Sequence, residues 1–267
     1  MSVSNNLYTF RWLVKMAWRD SRRNHSRLLL FGSSVILGIA ALVAVYSLGD
    51  NLRRNIDLQA ATLIGADLEL SGNKPATKEI THIMDSLGNE RSEEVSFASM
   101  ITFVKGGGSR LIQVRALEGG FPYYGELETS PANAQRSFRS KQSALVDKTL
   151  LLQYDAKPGD TIQVGELNFV IEGGLSKAPG QTGLSASIAP VVYIPKRYLE
   201  GTGLMQRGSR ITYKYFLKFN RQVDTDVLVD RIEPRLDAEG FYYETIETEK
   251  EDTGRSFQDL TYYLEIV

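Results

Sequence analysis

The stretch Leu28–Leu48, LLLFGSSVILGIAALVAVYSL, carries no charged residue over twenty-one positions. At a rise of 1.5 Å per residue such a helix is about 31 Å long, which matches the roughly 30 Å hydrocarbon core of a bilayer. The run therefore predicts a transmembrane helix over 28–48. A secretory signal core is shorter, about 7 to 15 residues behind a brief basic tail, and ends at a small-x-small cleavage site. Here twenty-seven residues precede the run, and it exits through Ala44, Val45, Tyr46 and Ser47. Arg11, Lys15, Arg19, Arg22, Arg23 and Arg27 stand before it against the single acid Asp20. Lys and Arg near a span are retained on the cytoplasmic side, so the N-terminus is expected to be cytoplasmic. Arg53 and Arg54 beyond the span weaken the asymmetry without reversing it. Everything after Asp50 is then expected outside, in a periplasm or its equivalent.

Within the tail, Leu7, Phe10, Leu13, Val14 and Ala17 recur at spacings of three and four, while Arg11, Lys15, Arg19 and Arg22 take another face. Residues 1–27 read as a cytoplasmic amphipathic helix whose aromatics Phe10, Trp12 and Trp18 suit the lipid headgroup region. A plain juxtamembrane anchor is the alternative. Within the span, Ser34, Gly38 and Ala41 fall at i, i+4 and i+7. Small side chains on one stripe let a second helix approach closely, so this stripe is a candidate helix-packing face.

Net charge over the 267 residues is -1, which gives nucleic-acid binding no electrostatic support. The first twenty-seven residues are strongly basic and the remainder is mildly acidic, as expected of a membrane-facing tail joined to an exported body. The sequence holds no cysteine, which excludes disulfides, thiolate metal sites and cysteine nucleophiles.

The exported body, 49–255, reads as strands and helices in alternation. A helix is expected to continue from Gly49 to Leu63 and end at Gly65, followed by a strand over 66–71 and a helix over 78–87. Residues 95–105 and 110–117 are β-rich runs joined by Gly106-Gly107-Gly108-Ser109, a hairpin signal. No Gly-x-x-x-x-Gly-Lys-Ser/Thr spacing occurs, so the triple glycine is not read as a phosphate loop. A short helix over 148–154 leads to the Lys157-Pro158-Gly159-Asp160 turn and strands over 161–164 and 168–172, with a further strand at 191–194 and a surface loop over 176–189. The last third predicts a strand over 210–219, a helix over 224–239 capped by Asp224 and kinked or split by Pro234, and a strand over 241–246. Strand-helix-strand units at both ends, bracketing a β-rich middle, predict an α+β fold: a βαβ-based extracytoplasmic lobe with an inserted β-rich subdomain at about 121–205. From Phe257 the chain turns apolar again, and 256–267 is expected to approach a second span.

Chemistry is sparse. His25 and His82 are the only histidines, so a three-histidine zinc site is not available. No Gly-x-Ser-x-Gly elbow and no histidine placed to activate a serine is present. Glu93 with Glu94, and Glu247 with Glu249 and Glu251, are carboxylate groupings that read as solvated turn and strand-end charges rather than acid/base pairs. Arg207 and Arg210 read as an exposed turn, and Phe121-Pro122-Tyr123-Tyr124 as packing at a lobe junction. No catalytic, metal-ligating or cofactor-binding residue is assigned, and enzymatic activity is not expected.

Several segments taken in order carry a resemblance: Trp18-Arg19-Asp20-Ser21-Arg22-Arg23, Asn51-Leu52-Arg53-Arg54, Leu63 through Leu70, Glu118 through Leu127, and Ala144-Leu145-Val146-Asp147 through Gly159-Asp160-Thr161-Ile162. The chain resembles the N-terminal part of an ABC-transporter permease of the MacB and FtsX superfamily, with its MacB-like periplasmic core domain, and within it the YbbP-like branch. That resemblance implies a bacterial inner-membrane permease pairing with a separate cytoplasmic ABC ATPase. It implies a dimeric or pseudo-dimeric transporter that handles a hydrophobic or lipid-type cargo or transmits force across the membrane. The alternatives from the residues are a single-pass receptor or regulator with a periplasmic ligand- or protein-binding domain, and a membrane-tethered hydrolase.

Overall fold

The structure is a computed structural model that describes residues 12, 14–16, 18–19, 25–87, 90–179, 190–205, 210–220 and 223–251. It divides into two units, Met1–Asn55 and Ile56–Val267. In the first, Trp12, Val14, Lys15, Met16, Trp18 and Arg19 are helical and exposed; of the amphipathic stretch predicted over 1–27, residues 25–27 belong to the next helix and the others lie outside the described residues. The expected approach to a second span, 256–267, also lies outside them.

Helix α1, His25–Ile64, is a single element of 40 residues, so Gly49 does not interrupt it. Leu29, Leu30, Phe31, Ile36, Leu37, Leu42 and Val43 are all more than 60% exposed along it. The side chains of Leu28, Val45 and 48–59 lie outside the description. Among the described residues no helix is long and apolar enough to cross a membrane. Gly65 ends α1 at φ 72°, in the left-handed region. A side chain there would meet the Phe121 ring at 2.8 Å, so the turn and the close approach both require glycine.

The second unit is mixed α+β. Helix α2, Lys78–Leu87, forms because Ile80, Ile83 and Met84 recur on one face and all are buried. Helix α5, Thr225–Ala238, starts where the Asp224 carboxylate accepts from the Val227 amide at 3.3 Å. It buries Val229, Ile232 and Leu236. Pro234 lies inside α5 and does not split it. The missing amide would have served the carbonyl of Asp230; both residues are exposed, so water can take that bond.

Strands β1 (Leu68–Gly72), β2 (Glu90–Phe103), β9 (Thr212–Lys218) and β10 (Phe241–Thr245) form the first half of the sheet in the order β10-β1-β9-β2. β1 is antiparallel to both β9 and β10, and β2 is antiparallel to β9. Each helix thus links two parallel strands with a third lying between them. This split βαβ pair is a ferredoxin-like arrangement. A core of Leu68, Leu70, Leu217 and Phe241 from the sheet meets Ile80, Ile83, Ile232 and Leu236 from the helices.

Between β2 and β9 the chain adds β3 (Ser109–Glu118), β4 (Glu128–Ser130), the short helix α3 (Ala134–Ser137), β5 (Ser143–Asp147), α4 (Lys148–Gln153), β6 (Thr161–Val164), β7 (Leu167–Lys177) and β8 (Val191–Pro195). β2 pairs with β3, β3 with β8, β8 with β5, β5 with β7, β7 with β6, and β6 with β2 again. The ring closes into a six-stranded barrel, which removes the sheet edges those strands would otherwise expose. Alternate residues fill its interior, among them Phe97, Phe103, Val114, Val146, Ile162 and Phe169. The length of β2, 14 residues, lets its first half pair with β9 and its second with β6. β2 is therefore shared by both halves.

The hairpin read from the triple glycine joins β2 to β3, with the Gly107 amide donating to the Phe103 carbonyl at 2.8 Å. At Gly108 a side chain would fall 2.3 Å from the ring of Tyr154, which itself stacks on Phe103 with centroids 4.5 Å apart. The glycine makes room for that stack.

Candidate functional site

The sheet is not covered evenly on the face that carries α2 and α5. Between the helix-side core and the barrel core lies a cleft of about 500 Å³. Strand register builds its floor. Glu93 on β2 stands opposite Tyr215 on β9 and Glu118 on β3, and the next row is Tyr213 opposite Val95. Pro75, from the β1–α2 loop, and the turn residues Lys196, Leu199 and Met205, after β8, complete the lining. The Tyr215 hydroxyl accepts from the Ala76 amide at 2.8 Å, which ties the loop to the floor.

Lys196 is the centre of this cleft. Its ammonium bonds to Glu93 and, at 3.2 Å, to Glu118. Arg91 reaches the other oxygen of Glu93 at 3.6 Å and Asp85 at 3.2 Å. Burial works against the charge on Lys196, but the bonds to Glu93 and Glu118 outweigh it and hold the amine above its usual range. At neutral pH Lys196 is therefore an ammonium and not a free amine nucleophile. The cleft holds charge and apolar surface side by side.

On the opposite face of the same strands runs a row of buried ionisable groups. Lys214 on β9 stands directly across from Glu94 on β2, and Arg115 on β3 across from Tyr193 on β8. The Lys214 ammonium pairs with Glu69 at 2.5 Å. The Arg115 guanidinium donates to the Tyr193 hydroxyl at 3.0 Å and lies 3.7 Å from Glu94. Glu94 is 1% exposed, and neither of its carboxylate oxygens has a hydrogen-bond partner among the described residues. Burial pushes the Glu69 carboxyl up, against the pull of Lys214. It pushes Tyr193 up to about 12, with Arg115 opposing. Burial would lower Arg115, but Glu94 and Tyr193 together hold it above its ordinary value.

This overturns the reading of Glu93 and Glu94 as solvated turn charges. β2 begins at Glu90, five residues before the apolar run at Val95, because its first half is paired with β9. Alternation then sends Glu93 into the cleft and Glu94 into the buried row. A signal was present: Ser92, Glu94 and Ser96 recur at the strand period, and Lys214 sits within the alternating run of β9. Sequence could not say that these strands are neighbours.

The remaining candidates are placed as follows. Phe121 is buried and stacks on Phe216 with centroids 3.8 Å apart, Tyr123 bonds to the Ser92 hydroxyl at 2.8 Å, and Tyr124 donates to Asp67 at 2.7 Å. These aromatics pack and brace. His82 is exposed, and Arg210 is exposed, while Arg207 lies outside the described residues. Glu247, Glu249 and Glu251 lie on the helical residues 246–251. Among the described residues no group of three His, Cys, Asp or Glu side chains is placed to hold a metal ion. Ser34, Gly38 and Ala41 lie on α1, Ser34 and Ala41 exposed, and a side chain added at Gly38 would meet nothing within 4 Å.

The family model of the MacB-like periplasmic core domain matches residues 29–235. The chain belongs to that family. It is similar to the uncharacterized ABC transporter permease YbbP of Escherichia coli (strain K12), with 25% identity over 246 residues, 92% of this chain. It spans 30% of that relative's length. Among solved structures it is similar to the periplasmic region of MacB from Actinobacillus actinomycetemcomitans, with 13% identity, 73% of this chain and 95% of that one covered, and a TM-score of 0.44. It is also similar to the extracellular domain of the noncanonic ABC-type transporter YknZ from Gram-positive bacteria, with 12% identity, coverage of 67% and 98%, and a TM-score of 0.37. In family terms the body of this chain is a periplasmic-type core domain of ABC-transporter permeases.

Proposed function

We propose that the chain is the N-terminal part of a bacterial inner-membrane ABC-transporter permease, with one span over 28–48, a cytoplasmic N-terminus and the body from Ile56 onward on the periplasmic side. The observation that carries this is the similarity to a permease over 92% of the chain. The uncharged run of twenty-one residues supports the span, and the basic flank supports the orientation. A separate cytoplasmic ATPase supplies the energy, and the body passes the resulting motion to a hydrophobic or lipid-type cargo or to an envelope partner. The stripe Ser34, Gly38 and Ala41 receives another helix of a dimeric or pseudo-dimeric permease.

Two measurements test this. Cysteines placed at Arg11 and Lys177 are expected to label from opposite sides of the membrane, and labelling of both from one side overturns the topology. Affinity purification of the protein from its native membrane is expected to bring down a nucleotide-binding protein with a Gly-x-x-x-x-Gly-Lys-Ser/Thr loop. A stable protein that never co-purifies with one leaves the single-pass receptor instead.

A further inference from the structure

Glu93 and Glu118 stand directly opposite each other on adjacent antiparallel strands, on the same face. Two carboxylates in that relation repel, and a cation between them offsets the repulsion. Here the cation is the ammonium of Lys196, bonded to both. Lys196 opens a three-residue 3-10 turn, and its flexible four-carbon stem must be ordered to reach the pair. The remaining cleft is walled by Tyr213, Tyr215, Val95, Leu199 and Met205, the last of them 38% exposed. Arg197, the other cation of the lining, is drawn away over the Tyr198 ring at 5.0 Å. A volume of about 500 Å³ lies within the roughly 300–1,000 Å³ of sites for small molecules.

We propose that the Glu93–Glu118 pair is a receptor for an ammonium group, filled in this structure by the chain's own Lys196, and that the cleft takes an apolar molecule carrying a primary amine. The incoming amine replaces the Lys196 ammonium between the two carboxylates while its apolar part lies along Tyr213, Leu199 and Met205. No covalent step is involved. Lys196 acts as an internal competitor: it keeps the carboxylate pair neutralised when the cleft is empty and swings out when the cleft fills. Binding at this cleft does not depend on the ATPase, so its failure would leave the permease reading standing, and loss of that reading would leave the cleft.

The test is a fluorescence titration of the full chain in nanodiscs with dansylcadaverine, an aromatic primary amine, with empty nanodiscs subtracted. Dansylglycine, which carries a carboxylate in place of the amine, serves as the control. Removing the competitor with Lys196→Met is expected to tighten dansylcadaverine binding about tenfold or more, because two bonds to charged groups no longer have to be broken. Glu118 is largely exposed, so Glu118→Gln preserves the fold; it is expected to weaken binding about tenfold in either background. Dansylglycine is expected not to bind. Circular dichroism checks that Lys196→Met folds, and if it does not, Lys196→Gln must show the same gain. Unchanged or weaker binding in the Lys196 variants, indifference to Glu118→Gln, or equal binding of dansylglycine each overturn the proposal.

Discussion

Arg115→Met is the sharpest single perturbation of this structure. The side chain of Arg115 is 19% exposed and that of Glu94 1%. Removing the guanidinium leaves the Glu94 carboxylate buried beside Lys214, whose ammonium is already bound to Glu69. Breaking a buried pair from one side costs about 3–5 kcal/mol, because the stranded charge keeps its desolvation penalty. The Tyr193 hydroxyl also loses its donor at 3.0 Å, which adds about 1 kcal/mol. The sum is about 4–6 kcal/mol, a large part of a domain's net stability. Adding Glu94→Met is expected to recover most of that, since an apolar pair of similar volume replaces an ion pair at little cost. The assay is urea unfolding of the single and double variants, followed by tyrosine near-ultraviolet circular dichroism, with stability compared at constant m. Most of the loss is recovered and Glu94→Met alone also strands a buried charge, so the expected coupling between the two sites is about 3 kcal/mol or more. Single effects that simply add, to within about 0.5 kcal/mol, would refute the buried-row account.

Glu69 predicts a pH dependence. Its folded pKa lies above the unfolded value of 4.5, so its contribution to stability is full below pH 4.5 and is lost as pH rises through the folded pKa. Glu69→Gln removes that loss, and the variant is expected to gain on the parent as pH rises from 4.5; urea midpoints that run parallel across this range would contradict it. In the barrel, Phe103→Ala empties a site 2% exposed that stacks on Tyr154, and a loss of about 3–5 kcal/mol is expected in the same unfolding assay. On α1, replacing Gly38 and Ala41 by Leu is expected to impair assembly with other spans while membrane insertion is retained, read by co-purification and by alkaline extraction; full assembly would make the stripe incidental.

Much of the element list was legible in the chain. Helix α2 follows from Ile80, Ile83, Met84 and Leu87 at helical spacing, and it occupies the predicted 78–87. The β2–β3 hairpin follows from two β-rich runs around three glycines, and α5 starts at its predicted aspartate cap. These are local signals, in which a few neighbouring residues decide the outcome. Whether the helix splits at Pro234 was not a local matter: burial of Val229, Ile232 and Leu236 against the sheet keeps α5 continuous past a proline on its exposed side.

What the sequence by itself determined is therefore the set of pieces and their faces: an uncharged run long enough for a bilayer, two strand-helix-strand units, a β-rich middle, and the pattern of residues that must be buried. Periodicity and turn chemistry act within one element, and a linear reading sees them. The tertiary structure decided which strands became neighbours. Only pairing of β2 with both β9 and β6 closes the barrel onto the ferredoxin-like half. Only the pairing of β2 with β9 puts Glu93 beside Tyr215 in the cleft and Glu94 opposite Lys214 in the buried row. Residues separated by a hundred or more positions interact there, and a one-residue change in where a strand begins sends each of them to the other face.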